Sequence, residues 1–288
     1  MTSATHAGIE SAAAEMPPLL RITPPARWWA LPFGELWAYR ELLYFFVWRD
    51  IKIRYKQTAI GAAWAVLQPL LAMAVFTLFF GRLAHMSSEG LPYQVFSYCG
   101  LLPWMYFAAA LQNSTNSIVD NQRLVTKVYF PRLALPIASV FAALVDLAIS
   151  FVMFAALMIY FRVQPSRTIV WFPAFLALAV LTAMGVGLWL SALNAIYRDV
   201  RYVLPFLIQF WLFASPVVYS SSIVPAKWRW LYGLNPMAGV IEGFRWSLTG
   251  HGEPPGRMVI VSAAAVIAIL FGGIAYFQKM DTTIADVV

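Results

Sequence analysis

Five long stretches of this chain contain no charged residue. Asp, Glu, Lys and Arg are absent between Lys56 and Arg82, Glu89 and Asp120, Arg167 and Arg198, Arg201 and Lys227, and Arg257 and Lys279. These gaps hold 25, 30, 30, 25 and 21 residues, each enough for the roughly 20 apolar residues of a bilayer-crossing helix. A sixth apolar stretch, Leu133 to Phe161, is interrupted only by Asp146. Lipid offers no partner to backbone N–H and C=O groups, so such stretches predict helices. The pattern predicts an all-α integral membrane protein with six transmembrane spans, at about 60–81, 95–118, 133–160, 171–193, 202–220 and 259–278.

Segments that break this pattern predict the remaining elements. Residues 34–48 are helical in character, but the apolar run Leu42 to Trp48 is too short to span. They predict a helix at the cytoplasmic interface, with Trp37, Tyr39, Tyr44 and Trp48 at headgroup level. Span one contains Gln68-Pro69, which predicts a kink that serves either packing or a channel wall. The loop 119–132 carries Asp120, Arg123, Lys127 and Arg132 and is either a docking element for a soluble partner or a plain basic loop. From Ser215 to Gly250 the chain is aromatic yet broken by Pro216, Pro225, Gly233 and Asn235-Pro236. Two short helices that enter the outer leaflet and return, over about 221–247, fit this stretch, with Trp228, Trp230, Asn235, Pro236, Glu242 and Arg245 as the gate candidates. Glu242 and Arg245 stand at i and i+3, a spacing that lets them pair on one face. If that pair holds a gate shut, exchanging the two residues should partly restore a Glu242→Ala defect.

Charge settles orientation and excludes several classes. Lys and Arg number 13 on the side carrying the N-terminus and 7 on the other, so both termini are expected in the cytoplasm. The net charge of +7 follows membrane side, which removes the nucleic-acid reading. Residues 1–27 lack a signal-peptide pattern, and residues 1–33 read as a flexible cytoplasmic tail ahead of a single membrane domain, 34–288. The sequence contains no G-x-x-x-x-G-K-[ST] loop, so ATP and Mg are expected on a partner and no cofactor on this chain. The lone Cys99 and three scattered His make a metal site improbable.

Three stretches, RDIKIRYKQTAIGAAWAVLQPL (49–70), KVYFPRLALPIASV (127–140) and NPMAGVIEGFRWSLTG (235–250), resemble the signature segments of type-2 ABC exporter permeases. The similarity is to the branch that exports polysaccharides and polyol phosphates (O-antigen, capsule, teichoic acid). It covers nearly everything after residue 34. The resemblance implies a non-enzymatic, channel-forming permease of the bacterial inner membrane. It implies a homodimer with two copies of a separate ATPase subunit, moving a lipid-linked polysaccharide between the permeases. It places the interface helix at 35–48, the coupling loop at 119–132 and the re-entrant gate at about 221–247. On that basis Arg49, Asp50, Lys52, Arg54, Arg123 and Lys127 are expected to couple to the ATPase.

Sugar chains present hydroxyls and apolar ring faces, for which aromatic rings are non-sticking platforms. Trp104, Tyr106 and Phe107 at one membrane end, and Phe210, Trp211, Phe213 and Tyr219 along span five, are the path candidates; interfacial aromatic belts explain such rings equally well. Asp146, expected near mid-membrane, has three candidate roles: a hydrogen bond to a neighbouring helix, a place on the glycan path, or proton movement. The first predicts that Asp146→Asn is tolerated. Two other functions compete: a permease of the same architecture for a drug or small lipid, and a membrane-embedded glycosyltransferase. The latter needs clustered carboxylates or His, whereas Asp120, Asp146, Asp199 and Glu242 lie in four separate segments.

Overall fold

A computed structural model describes residues 33–56, 63–252, 254 and 256–287. The tail expected over 1–33 falls outside them except for Phe33. Among the described residues the chain is helical: α1 (Phe33–Ala38), α2 (Arg40–Lys56), α3 (Ala63–Phe76), α4 (Tyr93–Asp120), α5 (Gln122–Lys127), α6 (Ala134–Ala142), α7 (Leu144–Tyr160), α8 (Phe172–Ile196), α9 (Val200–Phe213), α10 (Ala226–Tyr232), α11 (Pro236–Thr249) and α12 (Arg257–Val287). A π-helix, Thr77–Leu83, extends α3, and a 3₁₀ turn, Arg167–Trp171, leads into α8.

Among the described residues, four helical stretches are long and apolar enough to cross a membrane: Ala63–Leu83, Ala134–Tyr160, Arg167–Ile196 and Arg257–Asp281. The other two expected spans differ for separate reasons. At 28 residues, α4 has the length, but Gln94, Gln112, Asn113 and Asn116 dilute its apolar character. At 14 residues, α9 measures about 21 Å, and the chain after it turns at 214–219 instead of continuing as helix. Two further boundaries differ from expectation. The interface helix does not stop at 48 but runs through the basic cluster to Lys56. The third stretch turns at Ala143 between α6 and α7, so Asp146 stands in the first turn of α7 while keeping its place near the middle of the 27-residue stretch.

α4 is the axis of the molecule, packed against α3, α6, α7, α8, α9 and α11. Its side chains from Val95 to Leu102 are almost wholly buried. α8 and α12 meet closely because glycines face the contact. A Cβ on Gly185 would lie 2.9 Å from the Leu270 amide nitrogen, and one on Gly273 would lie 2.6 Å from the Gly185 carbonyl. Small residues let helix backbones approach where no hydrophobic effect drives them together. Trp189 closes the same seam, donating to the Ile269 carbonyl at 3.0 Å and stacking on Tyr276. α2 lies on α6 at one end of the bundle. α7 leads away from that end, and the 3₁₀ turn that follows it packs on α11, so α11 belongs to the opposite end.

Candidate functional site

The functional surface begins with side chains that an apolar helix would not carry. On α4, Gln112, Asn116 and Asp120 recur every four residues, as do Asn113 and Ser117, which aligns each set along the helix. α2 brings Arg49, Asp50 and Arg54 against this row and encloses a cavity of about 500 Å³ bordered by Gln112, Asn116 and Asp120. A second cavity of about 610 Å³ shares Arg54 and Gln112 with the first and continues past Tyr55, Gln68, Tyr106 and Asp146. Together they form a polar groove from the α2 end of the bundle to the middle of α4. Pro69 is buried within an unbroken α3, while Gln68 beside it is exposed on the groove wall.

An ion pair spans this groove. The Arg54 guanidinium and the Tyr55 hydroxyl both donate to the Asp146 carboxylate. Ser150, one turn on, donates to the Ala65 carbonyl at 3.0 Å and ties α7 to α3. Asp50 accepts from Arg49 at 2.8 Å and from the Ser139 hydroxyl at 3.3 Å. The side chains of Arg54 and Asp146 are 28% and 23% exposed, so water reaches them from the groove.

At the opposite end, Arg245 is a fully buried guanidinium with several partners. It donates to Glu242 Oε1 at 2.9 Å, to the Pro216 carbonyl at 3.0 Å and to the Val217 carbonyl at 3.4 Å. Its face covers the Phe96 ring at 3.8 Å. Glu242 also accepts the Ser221 amide at 3.2 Å, and the Tyr93 hydroxyl donates to the Val218 carbonyl at 2.6 Å. Glu89, held at φ 56°, accepts the Ser220 hydroxyl. The two carboxylates converge: a Cβ on Gly252 would lie 3.0 Å from Glu89 Oε2 and 3.7 Å from Glu242 Oε2. The turn after α9 is therefore fastened to α4, to α11 and to the loop before α4. The Asn235 side chain adds a fourth tie. It caps α11 by accepting the Met237 amide at 3.1 Å and donates to the Ala214 carbonyl at 3.0 Å.

The coupling candidates separate into two groups. Arg49, Asp50 and Arg54 line the groove. Lys52, Arg123 and Lys127 are exposed. α5 is anchored from below, where Val125 and Phe130 are buried and Phe130 packs edge-on to Phe46 of α2. This leaves Tyr129, 65% exposed, at its tip.

The path aromatics separate as well. Trp104, Tyr106 and Phe107 lie in the middle of α4, away from either end of the helix, and all three are buried. Tyr106 alone of the three borders the groove. Trp211 donates to Asn235 at 2.9 Å, and the Tyr219 hydroxyl meets that of Tyr232 at 2.8 Å, so the first ring ties α9 to the cap of α11 and the second ties the turn to α10. Phe210 is 66% exposed on α9. Trp228 and Trp230 stand half-exposed on α10. The sequence reading omitted Tyr55, Gln112, Asn116, Ser150, Glu89 and Ser220. The i, i+4 amides of α4 carried a signal; Glu89 and Ser220, 131 residues apart, carried none.

The ABC-2 type transporter family profile matches residues 41–249. An O-antigen export system permease protein from Myxococcus xanthus is 28% identical over 88% of this chain and 97% of its own length. A protein of the same description from Klebsiella pneumoniae is 26% identical over 83% of this chain and 92% of its own. A polysialic acid transport protein from Escherichia coli is 25% identical over 81% and 91%.

Proposed function

Because this chain belongs to the ABC-2 type transporter family, we propose that it is the permease of an ABC exporter that moves a lipid-linked cell-surface polysaccharide out of the cytoplasm. The observation that carries this reading is the polar groove running beside apolar, membrane-length helices. A polysaccharide needs hydroxyl partners at membrane depth, and Gln68, Gln112 and Asn116 supply them without a fixed charge.

In this reading the bundle crosses the bacterial inner membrane six times. α4 and α9, the latter with its following turn, complete the four apolar stretches, and both termini are cytoplasmic. α10 and α11 dip into the outer leaflet without crossing it. Two copies assemble with two ATPase subunits, which bind ATP and Mg, and the exposed faces of α3 and α9 supply the contact between copies. The ATPase docks on Lys52, on Arg123 and Lys127 of α5, and on Tyr129 just after it. Hydrolysis then moves α2, whose Arg54 is joined to α7 through Asp146, and so alters the groove wall. At the outer end the Arg245 cluster must loosen for the chain to leave.

The test is complementation. In a strain lacking this gene, the wild-type chain should restore surface polysaccharide, read by immunoblot of whole-cell glycan. Gln112→Leu/Asn116→Leu should restore less than about a tenth of it while keeping membrane yield and ATPase association. Full restoration by that variant would remove the groove from the path. Normal surface glycan in the deletion strain, with altered drug efflux, would favour a drug or small-lipid permease instead.

A further inference from the structure

Glu242 borders a second space, separate from the groove. This cavity, of about 380 Å³, lies between α10, α11 and the start of α12, within the few hundred Å³ typical of small-ligand sites. Trp230 and Trp246 line it, together with the basic side chains Lys227, Arg229 and Arg257. Trp230 is 50% exposed, so an indole face is available. Its acidic lining residue among the described residues, Glu242, is already paired with Arg245, and Lys227 and Arg257 bring two exposed cations to the rim.

The chemistry selects an occupant. Indole faces suit the apolar face of a sugar ring. Guanidinium and ammonium groups suit a carboxylate or phosphate on it, with the charge-assisted bonds such anions form. A buried carboxylate suits hydroxyl donors. We propose that this cavity is an exit-side binding site for an acidic sugar residue, stacked on Trp230 and Trp246 with its anion between Lys227 and Arg257. The proposal rests on the export reading and deepens it by naming an anionic glycan as the cargo. It also gives the site a route to the gate. Glu242 accepts from Ser221 and Arg245, so a hydroxyl arriving at Glu242 competes for the groups that hold the turn after α9.

The experiment uses the full chain in detergent, titrated with hexagalacturonate and, separately, with maltohexaose, and read by tryptophan fluorescence and calorimetry. Hexagalacturonate should bind saturably, and maltohexaose at least about tenfold more weakly, which is about 1.4 kcal/mol. Lys227→Ala/Arg257→Ala and Trp230→Leu should each weaken the acidic oligosaccharide by at least about tenfold, with unchanged elution and melting. Equal binding of the two oligosaccharides, or none of either, overturns the proposal. So does displacement of hexagalacturonate by equimolar inorganic phosphate or by phosphatidylglycerol nanodiscs, which would make this an anion or lipid-headgroup site. If binding fails while the chain still restores surface polysaccharide in the deletion strain, the acidic-sugar site falls and the export reading stands. If restoration itself fails, the export reading falls.

Discussion

Arg245 makes the cluster at the α11 end of the bundle depend on a single guanidinium. It serves Glu242 and two backbone carbonyls at once, and removing one member of a buried pair leaves the other uncompensated, at about 3–5 kcal/mol. Glu242→Ala should therefore lower the melting temperature and the extractable yield. Glu242→Gln, which keeps an acceptor for the Ser221 amide, should lower them less. Exchanging the two residues should give no rescue. A carboxylate at 245 faces the carbonyls of Pro216 and Val217 with nothing to donate, contrary to what the i, i+3 spacing alone suggests. At Asp146 the structure also reverses the expected tolerance of asparagine. The partner is a charged Arg54, so Asp146→Asn should destabilise, by about 1–3 kcal/mol given the partial exposure of both groups. The double variant Arg54→Leu/Asp146→Leu should melt higher than either single leucine variant, the sign of coupling in a double-mutant cycle. Additive melting shifts would mean that the pair is incidental.

At the scale of elements, α5 combines an anchored base with a free surface. Phe130 packs on Phe46, so Phe130→Ala should cost about 3 kcal/mol or more and release α5 from α2. Arg123→Glu/Lys127→Glu touches only exposed side chains and should leave melting unchanged while separating ATP hydrolysis from export in the assembled transporter. Unchanged export in that pair would remove α5 from the coupling role. The positions of these helices were legible because charge exclusion is a local property: each uncharged run could be read without knowing its neighbours. Helix lengths were less legible. α9 is uncharged throughout its expected span, yet its helix ends at Phe213, where Tyr232 of α10 and Asn235, the cap of α11, both donate to the Ala214 carbonyl that a further turn would have bonded. The groove was legible only in part, since Arg54 and Asp146 are 92 residues apart and nothing local distinguishes a cation facing a partner protein from one turned inward.

For the whole molecule, the α8–α12 seam sets how closely the bundle can close. Gly185→Leu must displace the Leu270 backbone, a clash that no side-chain rotation relieves, and should cost about 1–3 kcal/mol or more, read as lost yield and a lower melting temperature. An unchanged melt would show that α12 is free to move away. The groove itself has a further property that follows from its chemistry. Four of its uncharged polar groups, Gln68, Gln112, Asn113 and Asn116, are carboxamides, each able both to give and to accept hydrogen bonds. A sugar unit passing such a wall finds a partner whichever way its hydroxyls point, and the next unit finds the same partner after a shift of any size. The polymer has no preferred register there and so no rung on which to halt. As the path of the export reading, such a wall would be blind to the order of the monosaccharides it carries, and discrimination between one glycan and another would be exercised where a chain starts or leaves.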